Sequence, residues 1–415
     1  MRKLDFLIFY EVKNREFESI VLLRNELVKR GYSVDFFSFF ELNDRKRRKK
    51  FFNNVRVAIM PSLYHQEEVL KIVYSVAGKV DNIVNLRWEQ VFTNKTEVEM
   101  EYYVYPKGIA QEGYHCCWGK RPMDMLKRAG VNGNRIAITG PIHMDFLRPE
   151  FKEYYLSKKD LYNKYNIACD KECILFISSF SMSTLNENEL EYFLLDHEEP
   201  EKENIRQFIL KEKKSHKLII EWLIKLAEMK DCTIIYRPHP VEYNTKEVEV
   251  LFRIPNIKVI SEENIKQWIL RCDQVYSWYS TSFAEAFVAG IPCAILRPEA
   301  IDYDDDLPIY KDLEYIQTFE DFCKYYEEMS SYEDDLSKNQ GIIADYYDIQ
   351  DKKMSYVRTS DFLEKILNEQ NRFPWNSIAT SDYIKIRYYY IKQDLKKMIS
   401  GFIEKNSKSY LAKKL

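Results

Sequence analysis

The chain has 415 residues, of which 46% are hydrophobic and 31% charged, with a formal net charge of -3. That length suits two domains of near-equal size, and the near-neutral balance argues against a dedicated nucleic-acid binder. The apolar run Phe6 to Tyr10 is too short for a signal-peptide core, and no run approaches the ~20 apolar residues of a membrane-spanning helix.

Leu4 to Tyr10 reads as a strand. Ile20 to Arg30 follows as a helix, with Ile20, Leu22, Leu23 and Leu27 on one stripe and Gly31 as its stop. Tyr32 begins a second strand. Val55 to Met60 is a strand, Gln66 to Ala77 a helix, and Asn82 to Leu86 a further strand. The alternation resumes with the strand Cys173 to Ser178, the helix Ser215 to Lys230 and the strand Cys232 to Tyr236. It continues with Val259-Ile260, the helix Ile265 to Arg271, the strand Gln274 to Ser277, the helix Ser282 to Ala289 and the strand Cys293 to Leu296. Such alternation implies parallel sheets with helices on both faces. The expected fold is therefore α/β, with two doubly wound, Rossmann-like domains facing a cleft and helices at the C-terminal end.

The expected boundaries are an N-terminal domain at 1–150, a second domain at 151–340, and C-terminal helices at 341–415 that pack back on the first. Arg148 to Tyr165 is charged and helix-prone, and reads as the interdomain connection. Glu187 to Lys214 is poor in apolar residues and reads as an exposed insertion or mobile loop. The eight cysteines have no Cys-x-x-Cys spacing, and read as the reduced thiols of a cytoplasmic protein. The acidic run Asp302 to Asp306 reads as a solvated loop rather than a metal site.

Ligands of doubly wound folds bind beyond the carboxyl ends of the strands, and the candidate residues cluster there. The strand Thr233 to Tyr236 runs into Arg237-Pro-His-Pro. A stiff loop offering the Arg237 guanidinium and the His239 imidazole suits a phosphate leaving group. Ser280, Thr281 and Ser282 fall at a helix start, where free N–H groups favour an anion. Glu285, three residues after Ser282, could instead complete a capping box. Gly140, His143 and Asp145 follow the strand ending at Thr139 and read as cleft or hinge positions. In Asn85-Leu-Arg-Trp-Glu-Gln, Glu89 is a candidate general base, although on spacing alone a surface glutamate is the stronger reading.

Several of these stretches resemble, in order, bacterial surface carbohydrate biosynthesis proteins. They are Glu11-Val-Lys-Asn-Arg-Glu16 before a helix, Arg30-Gly-Tyr, Trp118-Gly119, Thr139-Gly-Pro with Asp145, Ile174 to Phe180, Arg237-Pro-His-Pro, and Glu285 to Pro292. The resemblance covers roughly residues 5 to 300. It extends more loosely to capsule Kdo transferases, bacterial sialyltransferases and CDP-glycerol glycerophosphotransferases. It implies a glycosyltransferase-B fold, no cofactor, no essential metal, and a part in making capsule, lipopolysaccharide or another surface glycan. It also implies that His239, Ser280, Thr281 and Ser282 hold the donor phosphate, and that Glu89 occupies the acidic motif of the N-terminal domain, with Glu11, Arg15 and Glu16 as a further N-terminal motif. Trp88-Glu89-Gln90 departs from the acidic pair and glycine of that group, and Gly-Pro-Ile-His after Thr139 departs from its Asn-Pro-Arg.

The expectation is a cytoplasmic, metal-independent glycosyltransferase that takes a sugar, a CMP-linked nonulosonate by the wider resemblance, from a nucleotide donor to a glycan or lipid-linked glycan acceptor. A CDP-polyol phosphotransferase, a nucleotide-sugar epimerase and a non-catalytic scaffold are the rivals. Lys405, Lys408, Lys413 and Lys414 alternate with Phe402, Ile403, Tyr410, Leu411 and Leu415. This pattern reads as a solvated helix, with weak peripheral contact to an anionic membrane as the second reading.

Overall fold

The computed structural model describes residues 3–100, 104–195, 197–199, 201–239, 242, 245–328, 333–349 and 352–395. The basic tail from Phe402 to Leu415 lies outside the described residues. The chain divides into two compact units, one formed by 1–90, 99–143 and 345–415, the other by 91–98 and 144–344. Among the described residues no helix is long and apolar enough to cross a membrane.

The first unit is built on β1 (Leu4–Tyr10), β2 (Val34–Ser38), β3 (Val55–Met60), β4 (Asn82–Asn85), β5 (Tyr114–Cys117) and β6 (Ile136–Ile138). They form one parallel sheet in the order β2-β1-β3-β4-β5-β6. Parallel strands need crossover connections that cover both sheet faces, which is why β1 is apolar almost throughout. Phe6 and Ile8 pack on one face with Ile20, Leu23 and Leu27 of the helix Lys13–Lys29. Leu7 and Phe9 pack on the other with Val69, Val73 and Val76. Those three belong to Gln66–Ala77, the stretch expected as one helix. Its middle, Val69–Tyr74, is wound more widely, as a π-helix.

The C-terminal segment completes both faces of this sheet. Leu363, Ile366 and Leu367 of the helix Ser355–Leu367 join the core of Phe6 and Ile8. Phe373, Trp375 and Ile378 join that of Leu7 and Phe9, and the Trp375 indole N–H donates to the Val80 carbonyl at 2.7 Å. Two glycines admit the segment. A Cβ on Gly119 would lie 2.5 Å from the Asp345 carbonyl oxygen, and Asp348 N–H donates to the Trp118 carbonyl at 2.7 Å. Gly140 has φ +77°, and a Cβ there would lie 2.1 Å from the Arg358 guanidinium and 2.8 Å from the Asp348 carbonyl oxygen.

The second unit is built on β7 (Glu172–Ile177), β8 (Cys232–Arg237), β9 (Ile257–Val259), β10 (Gln274–Ser277), β11 (Cys293–Leu296) and β12 (Tyr315–Ile316). Their parallel order is β12-β11-β10-β7-β8-β9. Ile174, Phe176, Ile234 and Tyr236 pack against Trp222, Leu223 and Leu226 of the helix Glu201–Met229.

Several expectations are corrected here. Glu187 to Lys214 is not a loop but the helix Glu187–Leu194 and the first half of Glu201–Met229, with Ile209 and Glu212 buried. Its apolar content is low because much of it faces solvent, while one narrow stripe suffices to seat it. The stretch Arg148 to Tyr165 lies within the second unit, where Leu161 and Tyr162 of the helix Lys158–Tyr165 are buried. The segment 91–98, expected with the N-terminal domain, groups with the second unit. Asp306 is not a solvated residue: its carboxylate receives both Nη atoms of buried Arg297 at 3.2 Å and the Tyr315 hydroxyl at 2.7 Å.

Gly140→Ala is expected to destabilise the protein by roughly 2–4 kcal/mol, since it adds left-handed strain and a clash with backbone. A thermal melt checks it. A melting temperature equal to that of the parent chain would mean that this seam is loosely packed.

Candidate functional site

The sheet orders locate the candidate sites. In each sheet the first strand has a neighbour on either side, reached by chains leaving in opposite directions, and such switch points open a crevice at the carboxyl edge. In the first unit the switch lies between β1 and β3, and in the second between β7 and β10.

At the first switch point a cavity of about 280 Å³ is lined by Glu11, Val12, Arg15, Pro61, Ser62, Tyr64, Trp88 and Glu89. Its walls are the loops after β1, β3 and β4. The loop after β1 is pinned by Glu16, fully buried, which accepts from Glu11 N–H at 2.9 Å and from Val12 N–H at 3.3 Å. The loop after β3 is pinned by Glu68, which accepts from Tyr64 N–H and His65 N–H, both at 2.6 Å. Arg15 donates to Glu16 at 3.0 Å and also to Glu89. The candidate base Glu89 therefore lines the cavity, but its carboxylate is paired with a guanidinium. Sequence separation hid that pair, since Arg15 and Glu89 lie 74 positions apart.

At the second switch point three loops meet. Ser178 to Thr184 follows β7, Pro238, His239 and Glu242 follow β8, and Trp278 to Ser282 follows β10. Tyr279 N–H donates to Ser179 Oγ at 3.1 Å, joining the first and third. Glu242 joins the first and second: it accepts from Ser178 Oγ at 2.5 Å, from the Tyr236 hydroxyl at 2.6 Å and from His239 N–H at 3.0 Å. Glu212, from the helix Glu201–Met229, accepts from Met182 N–H at 3.0 Å and Ser183 N–H at 2.9 Å. His216, one helical turn on, lies 3.2 Å from the Tyr236 hydroxyl and stacks on Phe180 with centroids 4.4 Å apart. Burial pushes the His216 imidazole down to about 4 and lowers that of His239, so both are neutral donors or acceptors at neutral pH.

Sequence reasoning missed Ser178, Ser179, Ser183, Glu212, His216 and Glu242. The run Ser178-Ser-Phe-Ser-Met-Ser-Thr184 after an apolar strand was the available signal. Arg237 has a different role from a free phosphate ligand. Its guanidinium donates to the carbonyls of Ile260, Glu262 and Glu263, clamping a turn in which Glu263 has φ +64°. Ser280, Thr281 and Ser282 do sit at the start of the helix Ser282–Val288. Thr281 is its N-cap without a side-chain cap bond, so the expected Ser282–Glu285 capping box is not formed. Ser280 instead exchanges bonds with the Tyr310 hydroxyl, at 2.6 Å from its N–H and 2.8 Å to its carbonyl. Glu285 is buried 3.6 Å from Lys266, away from the hydroxyl turn's own contacts. His143 packs edge-on to Trp118 in the seam of the first unit, while buried Asp145 lies 3.5 Å from Arg148 in the second. Among the described residues no group of three or more His, Cys, Asp or Glu side chains is placed to hold a metal ion.

Two six-stranded parallel doubly wound sheets, each with loops gathered at its switch point, define the glycosyltransferase-B fold. Solved structures agree. The wall teichoic acid polymerase TagF (H548A) is similar with TM-score 0.59 at 13% identity, over 89% of this chain and 90% of that one. S. aureus MnaA, solved with UDP, is similar with TM-score 0.54 at 12% identity, over 89% and 97%. The UDP-GlcNAc 2-epimerase of Neisseria meningitidis, bound to UDP-GlcNAc, is similar with TM-score 0.51 at 10% identity, over 88% and 100%. No family model and no curated protein sequence matches the chain.

Burial pushes the Glu212 carboxyl up to about 7, outweighing the two N–H groups that favour its ionised form. The folded chain thus binds this proton more tightly than the unfolded one. The resulting stability is full below about 4.5 and is lost as pH rises through about 7. Glu212→Gln keeps an oxygen for both N–H groups and cannot titrate. In denaturant melts it should lose roughly 3 kcal/mol less than the parent chain between those pH values. Parallel profiles would show that this carboxyl does not titrate there. Separately, Arg237→Ala leaves three carbonyls without their donor and should lower stability by about 2–3 kcal/mol. Unchanged stability in this variant would show that the clamp contributes nothing.

Proposed function

We propose that the chain is an enzyme that transfers a glycosyl or polyol-phosphate unit from a nucleotide-activated donor to a hydroxyl acceptor. The donor phosphates lie at the switch point of the second unit, and the acceptor enters the cavity of the first. The observation that carries this reading is the meeting of two hydroxyl-rich loops, joined by Tyr279 N–H and Ser179 Oγ, beside His239 and the helix start at Ser282. Hydroxyls, backbone N–H groups and a neutral imidazole donate to phosphate oxygens without a fixed counter-charge. His239 would hydrogen-bond the departing nucleotide phosphate, and Ser280, Thr281 and Ser282 would hold its other oxygens. Arg237 supports the turn behind them.

The neighbours favour nucleotide chemistry. MnaA was solved with UDP, the Neisseria epimerase with UDP-GlcNAc, and a TagF variant was soaked with CDPG. They include both a polymerase and epimerases, so a nucleotide-sugar epimerase is the second reading. The narrower expectation of a CMP-linked nonulosonate draws nothing from these neighbours. A nucleotide-activated donor puts the reaction in the cytoplasm, and a surface glycan or its lipid-linked precursor fits the acceptor role.

Calorimetric titration with CMP, CDP, UDP and GDP tests the donor site: one of them should bind, and should raise the melting temperature. His239→Ala should then lower turnover about a hundredfold with the melting temperature unchanged. A well-folded His239→Ala protein with full turnover would remove His239 from the mechanism. Conversion of UDP-GlcNAc to its 2-epimer without acceptor would replace the transferase reading by the epimerase one.

A further inference from the structure

The cavity of the first unit carries two carboxylates of unequal freedom. Glu89 is engaged by Arg15, whose guanidinium is also held by buried Glu16. Glu16 and Glu68 are occupied with the backbone N–H groups that shape the walls. Glu11 is different. Its backbone N–H is fixed by Glu16, while among the described residues its carboxylate accepts no hydrogen bond and forms no ion pair. It thus stands positioned but unspent on the wall of a cavity that also offers the Ser62 and Tyr64 hydroxyls and the Trp88 ring.

We propose that Glu11 is the catalytic base, taking the proton from a hydroxyl of an uncharged polyhydroxyl acceptor seated in this cavity. The proposal rests on the transferase reading above. In the step, the acceptor oxygen bonds to the donor's reactive atom, anomeric carbon or phosphorus. The bond from that atom to the nucleotide phosphate oxygen breaks, and its electron pair leaves with the nucleotide. The acceptor proton passes to Glu11.

Two further features fit. Partial desolvation at the cavity wall and the carboxylates of Glu16, Glu89 and Glu68 raise the Glu11 carboxyl, against the lowering effect of Arg15. A stronger proton acceptor than an ordinary surface glutamate results. The same surroundings select the acceptor. Glu11, Glu16, Glu68 and Glu89 outnumber the nearby cations. Arg15 is spent on two of them, and Arg87 is buried over the Tyr105 ring at 5.6 Å. A phosphate-bearing end would be repelled. A cavity of about 280 Å³ suits one sugar-sized unit.

The test uses the full chain, with UDP-GlcNAc and CDP-glycerol as donors and glycerol or glycerol 3-phosphate as acceptor, reading nucleotide release and product. Glycerol should accelerate release and glycerol 3-phosphate should not. Glu11→Gln should lower transfer to glycerol at least about a hundredfold, and Glu89→Gln no more than about tenfold. The parent rate should rise with pH as Glu11 ionises, and Glu11→Gln should lose that limb. Calorimetric binding of UDP and CDP should be equal in parent and variant. Transfer by Glu11→Gln at the parent rate, with nucleotide binding intact, overturns the assignment alone. Faster release with glycerol 3-phosphate than with glycerol overturns the acceptor class. Failure of the parent chain to bind any nucleotide overturns the transferase reading, and the assignment with it.

Discussion

A strand paired on both edges and covered on both faces leaves little room for unpaired polar groups, because a buried donor or acceptor without a partner costs more than most single contacts return. Among the described residues twelve strands pair in parallel, so that constraint applies along the inner strands of both sheets. Val57 to Met60 and Cys173 to Ile177 are buried without interruption. Polar chemistry is driven to the strand ends, and parallel pairing puts all the carboxyl ends of a sheet on one edge. Glu11, Glu89, Ser178, His239 and Ser280 all lie just beyond a strand for that reason.

Loops at such an edge would be too mobile to serve as a site unless something fixed them. Both units use the same device, a carboxylate that accepts from neighbouring backbone N–H groups. Glu16 and Glu68 do this in the first unit, and Glu212 and Glu242 in the second. Each engages two backbone N–H groups, or in the case of Glu242 one N–H and two hydroxyls, and thereby sets a loop conformation. The polar inventory at each switch point thus separates into groups that hold backbone, such as Arg237, and groups that do not, such as the Glu11 carboxylate on the cavity wall.

The sequence made the strands legible wherever apolar runs were short and bounded. Leu4 to Tyr10, Val55 to Met60, Gln274 to Ser277 and Cys293 to Leu296 have the bounds read from periodicity. It failed where a helix carries few apolar residues, as at Glu201–Met229, whose N-terminal half looks like a charged loop. The same failure concealed Glu212, because a buried glutamate and a surface one are spelled alike. Arg237 looked like a phosphate ligand because its partners are backbone carbonyls 23 to 26 positions away, which no side-chain pattern encodes. The pairing of Arg15 with Glu89 was hidden similarly. Local spacing located the edges of the site, while the division of labour among its charges came from contacts distant in sequence.

The way the C-terminal segment seats on the first sheet has a consequence for biosynthesis. During translation the strands β1 to β6 leave the ribosome before most of the second unit, yet Leu363, Ile366, Leu367, Phe373 and Trp375, which close both faces of their sheet, follow it. The second unit takes all but eight of its residues from the continuous stretch 144–344 and has its own apolar core complete before that point. Domains fold as units once their chain is available. The order of maturation is therefore the reverse of the order of synthesis: the later unit closes first, and the earlier sheet waits with apolar surface uncovered. A nascent chain stalled before Ser355 would present that surface to chaperones and proteases, with its second unit already folded.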